Sequence, residues 1–303
     1  MVNKFQPIKR GAEAIIPYHK PMKLNVDFTD IFESGIYTNA EYCRKLEKKL
    51  GEMYHCEALV CSSGTAGLII AINFFCLDHT VSLPVFNWSS DDYAIKLLDK
   101  NPVYFDVNKY YWFGYYDQKL DIRLHTFGNI DNSQQENCIY DGTHILGAKP
   151  LTLGRATIIS FAPTKLVTAG EGGVLLRDKI EKEIIEFRDR CFRMSEFHAK
   201  ICLEYLNYLN EFLEWKRMLF TIYESNINGT FQQIPYNSNY NTIGFLNINN
   251  LTIPKEIETK QYYQPLEHGY RNADYIYKNI ICLPSYMGVD YRKIVELIED
   301  ANK

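Results

Sequence analysis

The chain has no long hydrophobic run, no excess of basic residues, no paired-cysteine pattern and no glycine-rich phosphate fingerprint. Each absence removes a class of function. The longest apolar stretch, Leu68 to Leu77, is interrupted by Asn73 and falls well short of the roughly 20 residues that a membrane-spanning helix requires. The opening Met1-Val2-Asn3-Lys4-Phe5 carries no apolar leader, so a cytoplasmic setting with no membrane partner is expected. Lys and Arg number 33 against 37 Asp and Glu, a formal net charge of −4. A broad basic footprint is therefore missing, and no nucleic-acid partner is expected. The 8 cysteines form no C-x-x-C pair and no zinc-ligand spacing, which reads as reduced thiols and no metal centre. Neither a Walker loop nor G-x-G-x-x-G occurs, which counts against ATP-dependent chemistry and a nucleotide-dependent oxidoreductase.

What remains is an ordinary folding composition. Hydrophobic residues make up 46% and charged residues 23% of 303 positions, which excludes disordered, collagen-like and coiled-coil classes. The length is about twice that of a typical single domain, so two domains or one large one is the prior. Short apolar runs at Ala58–Cys61, Val81–Pro84, Val103–Asp106, Arg123–Thr126, Cys138–Tyr140 and Thr157–Phe161 alternate with helical patterns at Ala66–Phe75 and Asp91–Asp99. Strands alternating with helices imply a mostly parallel sheet covered on both faces, hence an α/β class. From Lys179 to about Ile227 the period becomes helical, and a long helix linking two domains is expected. A smaller α+β domain is expected beyond it, closed by an amphipathic helix over Tyr291 to Ala301. The expected boundaries are 1–208 for the large domain and 209–303 for the small one.

Four places could carry chemistry. Ser63-Gly64-Thr65-Ala66 lies where a strand hands over to a helix, a cradle for an anion, although Ser and Thr are also the ordinary N-caps. Asp141 follows an apolar run at a strand's carboxyl end, where open α/β sheets place ligand-binding groups; capping of the Gly142-Thr143 turn is the alternative. Lys165 stands between Ser160-Phe161-Ala162-Pro163-Thr164 and Gly170-Glu171-Gly172-Gly173. A lysine held in a desolvated pocket loses its ammonium proton more readily and becomes a nucleophile toward carbonyls, whereas most lysines are simply solvated. Trp88, after Pro84-Val85-Phe86-Asn87, could stack on a planar ligand or serve packing alone.

Taken in order, these segments resemble the DegT/DnrJ/EryC1/StrS sugar aminotransferases, pyridoxal-phosphate (PLP) proteins of fold type I. Phe32-Glu33-Ser34-Gly35-Ile36-Tyr37-Thr38 is similar to the family's S-G-x-x-T segment, and Ser63-Gly64-Thr65-Ala66-Gly67-Leu68 to its S-G-T-x-A-L turn. Pro84 to Trp88 resembles P-x-F-T-F/W, Asp106-Val107 the F-x-D-V element, and Asp141 to Ala148 the D-x-A-Q/H-x-x-G-A motif. The most specific resemblance is Ser160 to Lys165 with Gly170 to Gly173, matching S-F-x-x-x-K and G-E-G-G. Arg193-Met194-Ser195-Glu196 with Ala199, and Tyr262 to Leu266, are similar to the family's R-M-S-E-x-x-A and Y-Y-x-P-L.

The resemblance implies a fold type I architecture, with a seven-stranded, mostly parallel sheet flanked by helices, and an enzyme using PLP. Lys165 would condense with the cofactor aldehyde and shuttle a proton, and Asp141 would pair with the pyridine nitrogen. Gly64, Thr65 and Ser160 would hold the phosphate, Trp88 would stack on the ring, and His144 would reach the phenolic oxygen. It implies transfer of an amino group from L-glutamate to a keto-6-deoxy sugar, nucleotide-linked, in surface-polysaccharide synthesis, by a homodimer. Related nucleotide-sugar 3-dehydratases carry His where this chain has Lys165, so a PLP-dependent dehydratase or lyase is the second expectation. The third is a PLP-fold binding protein with eroded catalysis. That idea is prompted by Cys191 in place of a usual Asn, Asn39 in place of a usual Gly, and chain shorter than usual between Val107 and His125 and between Ser225 and Tyr262.

Overall fold

The computed structural model describes residues 16–108, 119–131, 133, 135–149, 151–232 and 238–303. The opening Met1 to Phe5 and most of the shortened segment after Val107 lie outside them. Five strands hydrogen-bond in the order β1 (Glu57–Cys61), β7 (Gly173–Arg177), β6 (Ala156–Ser160), β5 (Ile139–Asp141) and β4 (Ile122–Leu124). β4, β5 and β6 are parallel, and β7 runs against both of its neighbours. A second, parallel pair joins β2 (Thr80–Pro84) to β3 (Asn101–Phe105). The expected seven strands are thus divided five and two. The join is made by Asp121, whose carboxylate accepts the backbone N–H and the hydroxyl of Ser82 at 2.8 and 2.6 Å.

The central strands are buried on both faces, which explains their unbroken apolar runs. Leu59, Ile158 and Leu175 point into a core shared with α3 (Gly64–Phe75) and α4 (Ser89–Leu97). Val60, Ile159 and Val174 point the other way, toward α2 (Glu41–Tyr54) and α6 (Glu196–Leu206). α3 is apolar all round because it lies inside this sandwich: Leu68, Ile70, Ala71 and Ile72 are fully buried. Full burial of each of its large aliphatic side chains is worth about 1.5–3 kcal/mol.

The helical stretch from Lys179 is not one long helix. It is three: α5 (Lys182–Cys191), α6 and α7 (Leu209–Asn226). The first break has a clear cause. Ser195 caps α6 with its hydroxyl, and the buried Glu196 carboxylate accepts backbone N–H groups of Ala40, Tyr42 and Cys43 at 2.7–3.0 Å. α6 is thereby pinned against the start of α2, and α7 sets off separately after Asn207.

α7 packs with an antiparallel sheet of β8 (Thr230–Phe231), β9 (Ile243–Leu246) and β10 (Ile280–Leu283), and with α9 (Tyr291–Ala301). The bounds of α9 are those expected from its pattern; Asp290 caps it, and Ile294 and Ile298 are its buried stripe. A seam of Val85, Phe86, Phe127, Tyr263 and Ile276 joins this part, including α8 (Arg271–Asn279), to the ends of β2 and β3. Its edge is where the sheet's carboxyl ends open.

Candidate active site

A cavity of about 330 Å³ lies at the carboxyl ends of β5 and β6. The structure brings all seven sequence-singled residues to its wall: Gly64, Thr65, Trp88, Asp141, His144, Ser160 and Lys165. They come from four separate segments, so only folding assembles them.

One end is built by the start of α3. Ser63 is its N-cap, its hydroxyl accepting the Ala66 N–H at 3.0 Å. The first turn of any helix brings N–H groups without helical carbonyl partners and a positive dipole end. Gly64 is required by crowding: a Cβ there would stand 2.9 Å from the Ser160 Cβ. Hydroxyls collect at the same end, with Thr65 donating to Ser90 at 3.1 Å and Ser160 accepting the Ala162 N–H at 3.3 Å.

The floor is Asp141. It is 6% exposed, and one carboxylate oxygen accepts the Thr143 N–H at 2.9 Å. Asp141 therefore caps the turn and also faces the cavity. Opposite comes Lys165, placed by the turn that follows β6, with its N–H donated to Ala162 at 3.0 Å. Burial lowers its amine to about 8, against the opposing charge of Asp141. More of it is free amine near neutral pH than in an ordinary lysine.

His144 is held by its backbone, whose carbonyl accepts the Asn239 amide at 2.5 Å. Its Nδ1 lies 3.2 Å from the Tyr263 hydroxyl. Burial, then the Lys165 and Lys216 charges, push it well below the usual histidine range, so the ring is neutral. Trp88 stays 54% exposed, with Tyr262 and Tyr263 meeting it edge-on at 6.2 and 6.3 Å. An indole face is left uncovered beside the cavity.

Several wall residues carried no assigned role in the sequence reading. Tyr262 and Tyr263 were visible in the Y-Y-x-P-L segment, whereas Tyr18 and Thr242 gave no signal. Asn39 keeps a left-handed φ of 53° and donates to Asp189 at 2.9 Å. It fills a glycine's conformational place, as asparagine can. Cys191 is exposed at the end of α5.

The donor set fits pyridoxal phosphate. An aromatic face, a carboxylate, an amine and a cluster of hydroxyls at a helix start correspond to its ring, ring nitrogen, aldehyde and phosphate.

The model of the DegT/DnrJ/EryC1/StrS aminotransferase family matches residues 22–114 and 138–243. GDP-perosamine synthase of Escherichia coli O157:H7 is 25% identical over 240 residues, 65% of this chain and 66% of its own length. The match thus spans just under two thirds of that relative. Helicobacter pylori PseC, an aminotransferase involved in the biosynthesis of pseudoaminic acid, superposes with a TM-score of 0.81 at 15% identity, covering 94% of this chain and 98% of its own. GDP-4-keto-6-deoxy-D-mannose-3-dehydratase of E. coli, solved with bound hydrated PLP, gives 0.80 at 14% identity over 96% and 100%. Those two likenesses establish the fold, which serves both reactions. With the family match covering most of the length, the chain belongs to the DegT/DnrJ/EryC1/StrS aminotransferase family.

Proposed function

We propose that this protein is a PLP-dependent sugar aminotransferase that moves the amino group of L-glutamate to a nucleotide-linked keto-6-deoxy sugar for surface-polysaccharide synthesis. The single observation that carries the reading is the meeting of Lys165 and Asp141 in one cavity beside the uncovered face of Trp88.

When bound, pyridoxal phosphate supplies an aldehyde that captures amines and a ring that draws electrons from the adjoining carbon. The chain's own residues do the rest. The hydroxyls of Thr65 and Ser160 with the first turn of α3 would bind the phosphate dianion, and the Asp141 carboxylate would accept a hydrogen bond from the ring nitrogen. Lys165 Nζ would hold the cofactor through its aldehyde and, as a free amine, would serve as the base for the proton on the donor's amino-bearing carbon. Trp88, Tyr262 and Tyr263 cover the reacting atoms and limit water, which strengthens every charge interaction inside.

The presence of an amine at position 165 favours transfer over the dehydratase reading, since an amine can both release and regain the cofactor. A homodimer is supported by an exposed aromatic cluster of Phe32, Tyr37 and Phe197. Phe32 is 62% and Tyr37 47% exposed.

Addition of L-glutamate to the PLP-loaded enzyme tests the reaction class. The visible absorbance is expected to fall as the pyridoxamine form accumulates, and a keto-sugar should restore it. A spectrum unchanged by glutamate or any other amino acid contradicts the reading.

A further inference from the structure

Behind Asp141 lies a second carboxyl group. Asp91 sits in the first turn of α4 and is 0% exposed. Its sequence neighbour Asp92 does the ordinary work of an acidic residue at a helix start: it lies partly exposed and pairs with Lys96 at 2.8 Å. Asp91 turns inward instead, and neither of its oxygens meets a backbone donor or a cation. Carboxylates are acceptors only, and a fully buried one without a donor is costly. The group that Asp91 does meet is the Asp141 carboxyl, with which it interacts by charge and by hydrogen bonding. Asn87 flanks it, with its carbonyl oxygen taken by the Trp88 N–H at 2.6 Å, and its amide lowers the Asp91 carboxyl, a smaller effect than burial and Asp141.

Two ionised carboxylates in contact repel strongly in a dry interior, whereas one proton between them converts the contact into a short hydrogen bond. Burial first, and the Asp141 charge second, push the Asp91 carboxyl well above the usual range. The other groups facing the pair do not reverse this. Tyr263, from the segment before α8, acts on both carboxyls and stays neutral because burial raises its hydroxyl. His125, beside Asp141, is lowered by burial to about 4 and is also neutral. Lys165 faces Asp141, whose charge opposes the lowering of the lysine amine.

We propose that Asp91 is a positioning residue of the cofactor site, a protonated carboxyl that donates a hydrogen bond to Asp141 and holds that carboxylate to face the ring nitrogen. This rests on the reading of the cavity as a PLP site, and gives Asp141 two tethers: Thr143 N–H on one oxygen, and Asp91 from behind. α4 becomes part of the active-site support, linking the ring nitrogen's partner to the same short segment that carries Trp88 and Ser90.

The test compares the wild type with Asp91→Asn and Asp91→Ala. Asn keeps a donor but has no proton to lose; Ala removes the donor. Apoprotein is titrated with pyridoxal phosphate near neutral pH, with affinity read from visible absorbance, and melting of the apoprotein is followed from about pH 5 to about pH 8. Asp91→Asn is expected to bind the cofactor close to wild-type strength, while Asp91→Ala binds about tenfold more weakly, the scale of one charge-assisted hydrogen bond. A carboxyl raised on folding loses stability as pH climbs from its unfolded value toward its folded one. The apoprotein Tm of Asp91→Asn relative to wild type should therefore rise across that window. Equal cofactor affinity in wild type and Asp91→Ala, or a Tm difference that does not grow with pH, overturns the proposal alone. Failure of the wild type to bind pyridoxal phosphate overturns the reading of the site with it.

Discussion

Among the described residues, Lys165 and Lys216 are withdrawn from water in two different ways, and the contrast shows what separates a reactive amine from a structural one. Lys216, on α7, donates to the Asn241 carbonyl and the Ser285 hydroxyl, each at 2.7 Å. It ties the long helix to the loops flanking β9 and β10. Lys165 sits at the rim of the sheet, in a cavity, facing a carboxylate. Burial lowers both, Lys165 to about 8 and Lys216 to about 7. Desolvation alone therefore does not mark the catalytic lysine. A facing carboxylate, in the cavity that also holds Trp88 and the start of α3, does.

The contrast can be broken at either end. Replacing Lys165 with Ala removes the amine that attacks and carries the proton, so turnover should fall by at least about 10³-fold. The same change relieves a desolvated charge, and Tm should move by no more than a few degrees. Lys216→Met is expected to do the reverse. It strands the Asn241 carbonyl and the Ser285 hydroxyl, costing about 2–4 kcal/mol in a denaturant melt, while the amine at 165 still takes up cofactor.

A titration sharpens the comparison further. A lysine whose folded value lies below its unfolded value holds fewer protons when folded, so stability is missing below the folded value and is gained as pH rises through it toward the ordinary lysine range. The apoprotein should therefore become more stable between about pH 7 and about pH 9, and Lys216→Met should flatten that rise. An unchanged slope in the variant would assign the rise elsewhere. The smallest effect belongs to Cys191, exposed at a helix end: Cys191→Ala should change stability by no more than about 0.5 kcal/mol.

Much of the floor of the site could be read in advance because it is local. Ser160 to Lys165 and Gly170 to Gly173 are contiguous, and Asp141 closes a strand that its own apolar run announces. α9 is likewise legible, since its period of apolar residues and its Asp290 cap lie within one short segment. What stayed hidden is nonlocal. Tyr18 reaches the cavity from the N-terminal segment, a contact for which no sequence period exists. Asp91 looks like an acidic residue at a helix start, and only the packing of α4 against α3 and β3 turns it inward. The period of 182–226 reads as helical throughout, and the break between α5 and α6 depends on Glu196 reaching back to α2. The join between the five-stranded sheet and the β2–β3 pair runs through the Asp121 side chain, which no sequence period marks.

Among these tests, borohydride reduction of the PLP-loaded protein followed by peptide mass mapping is the most direct, because both lysines compete in it. The account predicts a phosphopyridoxyl adduct on Lys165 and none on Lys216. An adduct on Lys216, or on any residue but Lys165, would contradict it.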